Sequence, residues 1–327
     1  MKILHAAILL LISGATTPAL AADCAPLRLL NSIKMEAVAD GNVYLIPAMI
    51  DEKPVKLLVD TGGGATQITK EAAERLGLRI ESGPQVNTDV YGSMSFNMVM
   101  AKTLDLGNQR GEKIKLQIWP GQYVGTDSTI AGAVATDVFL QNDLDLDFGS
   151  SLLNVFSQDH CEGKVAYWPQ RPLAVIPVDL KDGHLNIQAT LDGHPIEAVI
   201  DTGSDRTFLN ATTAKQELGI DLSTAPVTET ASFDPRLKIY SHDFGVLSFD
   251  GVGVAHPKID IRTDQLSLPN LQPYLTFFHY SKTAKLVIGM NILKHLHLYV
   301  SNKEKRLYIS PASAGDSPLL KPASASP

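Results

Sequence analysis

The sequence holds only two cysteines, Cys24 and Cys161, among 327 residues. Two thiols are too few for a structural zinc site built on four thiolates. Blocks rich in Lys or Arg are missing, and 28 basic against 35 acidic residues leave a formal charge of −7. A nucleic-acid binder needs a cationic stripe to displace counterions from phosphates, so nucleic acid is excluded as a partner. Apolar runs stop at about ten residues, where a membrane-crossing helix needs about 20. Long amphipathic helical patterns are lacking too, and short strands punctuated by turn residues take their place, which points to an all-β chain. Charged residues are scarce at 19%, but an apolar fraction of 44% is enough for a core and excludes a disordered chain. The length favours about two domains.

The first residues form a secretory signal peptide. Lys2 supplies the positive start, Ile3 to Ile12 the apolar run, and Ala19-Leu20-Ala21 a small-residue cleavage site. Asp23 stands before Cys24 where a lipoprotein would carry a small residue. Cleavage after Ala21 removes Lys2 and takes the charge to −8. The expected location is across the inner membrane, in the periplasm. In that oxidising compartment Cys24 and Cys161 are expected to form a disulfide. Closing so long a loop is worth about 4–5 kcal/mol on the chain-entropy model.

The body of the chain is an internal repeat. Ile46 to Thr66 reads IPAMIDEKPVKLLVDTGGGAT, and Ile187 to Thr207 reads IQATLDGHPIEAVIDTGSDRT, at a constant offset of 141. Downstream, Lys70 to Leu78 and Thr212 to Ile220 each read as a short helix stopped by glycine, at Gly77 and Gly219. Ala135 to Val155 and Gly289 to Ile309 match again, each as a short helix, an alternating strand, a turn and a final strand. Each half is expected to open with a hairpin turning at Asp51-Glu52 or Asp192-Gly193. Its second strand is mostly apolar and is expected to be buried on both faces. The boundaries read as a signal peptide 1–21, an N-terminal lobe 22–157, a linker 158–176, a C-terminal lobe 177–310 and a disordered tail 311–327.

Each hairpin delivers an aspartate into a tight loop: Asp60-Thr61-Gly62 and Asp201-Thr202-Gly203. A lone buried carboxylate is costly and takes up a proton. Two such strands related by a pseudo-twofold axis bring both carboxyls together, and like charges in contact share one proton. The charged member can take a proton from water while the protonated one donates to a carbonyl oxygen. That pair hydrolyses an amide without metal, cofactor or covalent intermediate. Thr61 and Thr202 suit a role holding the loops across the axis, and Gly62 and Gly203 allow a close approach of backbone.

At these residues the sequence resembles the aspartic peptidases of the pepsin and retropepsin clan, from about Ile46 to Ile309. Gly289-Met290-Asn291, preceded by Leu286-Val287-Ile288, resembles the apolar-apolar-Gly segment that packs behind the catalytic loop in that family. The resemblance implies an all-β fold of two pseudo-twofold-related β-barrel lobes, with a cleft for a peptide or protein substrate. It implies a monomer completed by internal duplication, with Asp60 and Asp201 catalytic. Tyr91 and Gly92 resemble a flap tip, and Asp205 matches a retropepsin aspartate that binds substrate backbone. Ser204 keeps the hydroxyl that pepsins place after Asp-Thr-Gly to bond the catalytic carboxylate, whereas Gly63 lacks it. A milder acidic optimum than pepsin's is therefore expected. Ala135 stands where the second half has Gly289, and its methyl is expected to crowd the loop of Asp60. Met290 replaces the family's arginine, leaving Asp205 to find another partner.

Other patterns have plainer readings. Gly62-Gly63-Gly64 is followed by no Gly-Lys-Ser/Thr and is not a phosphate loop. His295 and His297 are expected on one face of a strand as a surface stripe, and Asp143, Asp145 and Asp147 as a solvated face, with no metal at either. Trp119 and Trp168 are read as core or interlobe packing. The function expected is an exported aspartic endopeptidase; the alternative is a catalytically weak or inactive peptide-binding protein on the same fold.

Overall fold

The computed structural model describes residues 24–88, 94–120, 127–168, 174–181, 183–230, 238–262, 284–312 and 320–322. The signal peptide expected at 1–21 lies outside them. No described helix is long and apolar enough to cross a membrane.

The two halves repeat one arrangement. Strands Val43–Ile50 and Lys53–Asp60 form the first hairpin, and His184–Leu191 and His194–Ile200 the second. Their turns place Asp51 and Glu52, then Asp192 and Gly193, at positive φ, the geometry a two-residue hairpin needs. Leu57, Leu58 and Val59 are buried, as are Ala198, Val199 and Ile200, while Glu197 turns outward and Lys56 reaches Glu36 at 2.9 Å. Behind each hairpin lies a parallel strand. Ile130–Ala135 sets Ala135 opposite Asp60, and Leu286–Ile288 sets Ile288 opposite Ile200. Short helices Lys70–Leu76 and Ala211–Leu218 follow the loops. The side chains of Thr69 and Asn210 accept from Ala72 N–H and Thr213 N–H, and Gly77 and Gly219 end the helices at φ 72° and 69°. An eight-stranded sheet forms the first lobe and a larger sheet of eleven strands the second.

The matched segments that end each half do not stay in separate lobes. Asp143–Asp147 pairs antiparallel with Leu296–Ser301, and both belong to a six-stranded sheet joining the halves. Ala174–Pro177, which runs across the expected linker boundary at 176, is the edge strand of that sheet. The Cys24–Cys161 disulfide is present, and Ala25 bridges to His160 beside it.

This junction overturns two expectations. Asp143 and Asp145 are fully buried rather than solvated, because strands flank them on both sides and the segment around His160, Tyr167 and Trp168 contributes groups to their face. Asp143 accepts from His160 Nε2 at 2.6 Å, from Asn302 N–H at 2.9 Å and from Tyr299 at 3.2 Å. Asp145 accepts from His297 Nε2 at 2.6 Å, Tyr167 at 2.8 Å and Asn154 at 2.9 Å. Three donors apiece make burial of the carboxyls tolerable. His297 is therefore no surface residue, and Trp168 stacks on it at 4.3 Å between ring centres. His295 sits in the turn before the strand, half-buried. Asp147 is half-buried and caps Ser150 N–H. The tail expected to be disordered contributes a short strand, Leu320–Pro322, paired with Val252–Ala255.

Candidate active site

Asp60 is the last residue of its hairpin's second strand, and Asp201 follows directly on Ile200, the last residue of the matching strand. The two loops are locked by their threonines. Thr61 N–H donates to Thr202 Oγ1 at 3.0 Å, and Thr202 N–H donates to Thr61 Oγ1 at 3.1 Å. Each hydroxyl then donates across the axis, Thr61 to Ile200 O at 2.8 Å and Thr202 to Val59 O at 2.7 Å. Both threonines are buried, so these four bonds are shielded from water.

The glycines bring the loops into contact. A β-carbon on Gly62 would stand 2.1 Å from the carboxyl carbon of Asp201, and one on Gly203 would stand 2.4 Å from Asp60 Oδ1. Gly62 N–H donates to Asp60 Oδ1 at 3.0 Å. Gly203 and Ser204 N–H donate to Asp201 Oδ1 at 2.8 and 3.1 Å. The two carboxyls are close enough that each alters the proton affinity of the other.

Burial pushes the proton affinity of both carboxyls up. At Asp60 the charge of Asp201 raises it further. At Asp201 the Gly203 and Ser204 N–H groups, the bond from Asp60 and the field of His184 pull the other way. The pair as a whole thus holds protons more tightly than ordinary carboxyls do, chiefly because both groups are buried.

Other residues singled out in the sequence fall differently. The Ser204 hydroxyl donates to Arg206 O at 2.8 Å, and it is the Ser204 N–H that donates to Asp201. Asp205 is exposed, with Arg206 Nε at 4.0 Å as its cationic neighbour. Tyr91 and Gly92 lie outside the described residues, between strands Ile80–Thr88 and Met94–Leu106, which pair antiparallel as far as Thr88 and Met94.

The crowding expected at Ala135 is relieved by Gly63. A β-carbon on Gly63 would lie 3.3 Å from the Ala135 methyl and 2.8 Å from Asp60 Oδ2. In the second half, Ser204 carries the side chain and Gly289 carries none. A β-carbon on Gly289 would meet Arg206 O at 2.3 Å.

Two residues complete the support: Asp137, which sequence reasoning passes over, and Asn291 of the Gly289-Met290-Asn291 segment. Asp137 accepts from Thr66 N–H at 3.0 Å and from its hydroxyl at 2.6 Å, while Thr66 Oγ1 accepts from Ala135 N–H at 3.1 Å. Asn291 accepts from Thr207 N–H at 2.7 Å and from its hydroxyl at 2.8 Å, while Thr207 Oγ1 accepts from Gly289 N–H at 3.1 Å. Thr66 and Thr207 are identities of the repeat, and the alignment pairing Ala135 with Gly289 also pairs Asp137 with Asn291.

Residues 46–137 and 187–265, more than half of the chain, match the family described as Aspartyl protease. No curated protein matches the chain. Among solved structures, the aspartic proteinase from Irpex lacteus is 14% identical, covering 86% of this chain and 97% of its own, with a TM-score of 0.47. Basic 7S globulin from soybean is 12% identical, covering 88% and 96%, with a TM-score of 0.46. A retropepsin-like aspartic protease from Rickettsia conorii is 18% identical, covering 45% and 97%, with a TM-score of 0.31. The family's residues take in Asp60 and Asp201 with the loops around them, and the chain belongs to the aspartyl protease family.

Proposed function

We propose that the chain is an exported aspartic endopeptidase whose catalytic groups are Asp60 and Asp201. The observation that carries this reading is the close approach of two buried carboxyls, each held by its own loop and each packed against the glycine of the other, since carboxyls brought together in this way share a proton. Asp201 takes a proton from a water as its oxygen attacks the peptide carbonyl, and Asp60 gives its proton to the carbonyl oxygen. The resulting gem-diol collapses as one hydroxyl returns its proton to Asp60, the C–N bond breaks, and the amine leaves with the proton that Asp201 took from the water, which restores the dyad. Peptide or protein substrate occupies the cleft between the lobes, with Tyr91, Gly92 and Asp205 as its contacts, and the chain works as a monomer in the periplasm.

A peptide-binding role without turnover would fit carboxyls held apart or paired to a cation. The packing of each carboxyl against the opposite loop, and the fit of Gly63 to Ala135, favour turnover instead. A peptide-library digest between about pH 3 and pH 8 tests the proposal. Cleavage that is blocked by a statine-type inhibitor and abolished by Asp60→Asn and by Asp201→Asn is expected. Full activity in either variant overturns the dyad, and binding of peptides without cleavage by the wild type supports the alternative.

A further inference from the structure

The relays behind the two aspartates are twofold-related in shape but not in chemistry. In the second half, Asn291 Oδ1 alone accepts both groups of Thr207. In the first half, Asp137 spreads the same task over two oxygens, Oδ2 for Thr66 N–H and Oδ1 for the hydroxyl. The main chain differs as well. Met290 N–H donates to Ser204 O at 2.8 Å, and Asn291 N–H donates to Asp205 O at 3.2 Å, tying the second loop directly to the segment behind it. Among the described residues, the N–H groups of Thr136 and Asp137 make no such bonds to the loop of Asp60. The Thr136 hydroxyl goes elsewhere, to Gly183 O in the other half.

The tie between the first loop and the segment behind it therefore runs through one side chain, where the second loop also has main-chain bonds to its own. We propose that Asp137 is a positioning residue for Asp60. It fixes Thr66, whose hydroxyl oxygen holds the N–H of Ala135, and Ala135 is the residue opposite Asp60 in the parallel ladder. Asn291 does the same for Asp201 through Thr207 and Gly289, with less depending on it. The charged acceptor makes the Thr66 hydroxyl bond the stronger of the two, offsetting the missing main-chain bonds. The inference rests on the peptidase reading for its kinetic consequence but not for its geometric one.

The experiment compares Asp137→Ala, Asp137→Asn, Asn291→Ala and the exchange Asp137→Asn with Asn291→Asp. Small displacements of a reacting group are costly, so Asp137→Ala is expected to lower kcat about 10- to 100-fold with KM within about twofold. Asn291→Ala is expected to lower it by less than about tenfold. Asp137→Asn should recover most of the loss, because Asn291 shows that one amide oxygen can accept both bonds. The exchange variant should retain activity near that of Asp137→Asn. As a second measurement, the ¹³C-carboxyl signal of Asp60, assigned by its absence in Asp60→Asn, should move in Asp137→Ala and return toward wild type in Asp137→Asn. That signal reports on the relay even if the wild type cleaves no peptide, a result that would sink the peptidase reading alone. Wild-type kcat and an unmoved Asp60 signal in Asp137→Ala overturn the proposal. So does an Asn variant no better than Ala, or a greater loss at Asn291 than at Asp137.

Discussion

The carboxyl carbon of Asp201 lies 2.1 Å from where a β-carbon on Gly62 would be. Gly203 stands in the same relation to Asp60. Each glycine lies against the opposite aspartate, so a side chain at either position must displace a dyad carboxyl. Gly62→Ala and Gly203→Ala are expected to cost at least about 100-fold in kcat/KM, since a misplaced catalytic group loses that much for about 1 Å. Gly77→Ala is the contrast, for nothing lies within 4 Å of its would-be β-carbon and its positive φ gives only local strain at a helix end. Steady-state kinetics of the three variants decide the point, and an active Gly62→Ala would mean that the loops are looser than these distances state.

The raised proton affinity of the dyad ties stability to pH. A carboxyl whose affinity is higher in the folded than in the unfolded chain binds more protons when folded. Its stabilising effect is full below the ordinary carboxylate range and is lost as pH rises toward the raised value, because charge must then be buried. Asp60→Asn removes that burden. It is expected to be more stable than the wild type at about pH 7 by on the order of 1–3 kcal/mol, a rise of several degrees in Tm, and nearly equal to it at about pH 4. Thermal melts at the two pH values check this, and an Asn variant less stable than wild type at neutral pH argues against a strained dyad. The same shift keeps the singly protonated pair populated at higher pH, so activity should peak in mildly acidic solution; a maximum near about pH 2 is the contrary outcome.

Gly63 and Ala135 are coupled by a 3.3 Å contact between a would-be and a real methyl group. Gly63→Ala alone is expected to press on both Ala135 and Asp60 Oδ2 and to reduce activity and stability. Adding Ala135→Gly should recover part of the loss, with an interaction energy of about 1 kcal/mol in a double-mutant cycle. Strictly additive effects would show that the two residues accommodate each other by chance.

Much of this architecture is legible in the amino-acid sequence. The duplicated hairpins, the loop glycines, the helix-stopping glycines and the disulfide all follow from local patterns that appear twice or leave one choice. What the sequence hides is long-range. Asp143, Asp145 and His297 alternate with apolar neighbours as an exposed strand face would. Their burial comes from a sheet assembled by both halves, and no window of residues records that pairing. The Ser204 hydroxyl donates to Arg206 O, a partner that the course of the loop supplies and a motif does not encode. Asp137 escapes a sequence reading because a single aspartate beside an apolar strand carries no signal until Thr66 is seen to face it.

The junction sheet supplies the last prediction. His160 and Asp143 are both fully buried and 2.6 Å apart, and the other ring nitrogen of His160 faces Cys161 O at 3.1 Å and Glu304 at 3.6 Å. Both nitrogens thus face oxygen acceptors. Lys303 Nζ donates to His160 O at 2.9 Å, so the second half of the chain holds this residue from two sides. Removing the imidazole leaves the Asp143 carboxyl with fewer donors and no route to water. Truncating one member of a buried pair costs about 3–5 kcal/mol. His160→Ala is therefore expected to fall by about that much in a denaturant titration, while His160→Ala combined with Asp143→Ala loses less than the sum of the single changes. Because the pair lies beside the Cys24–Cys161 bond, the two supports should also be coupled. Replacing both cysteines by serine is expected to cost less in the His160→Ala background than in the wild type. Fully additive losses would mean that the disulfide and the buried pair hold separate parts of the junction.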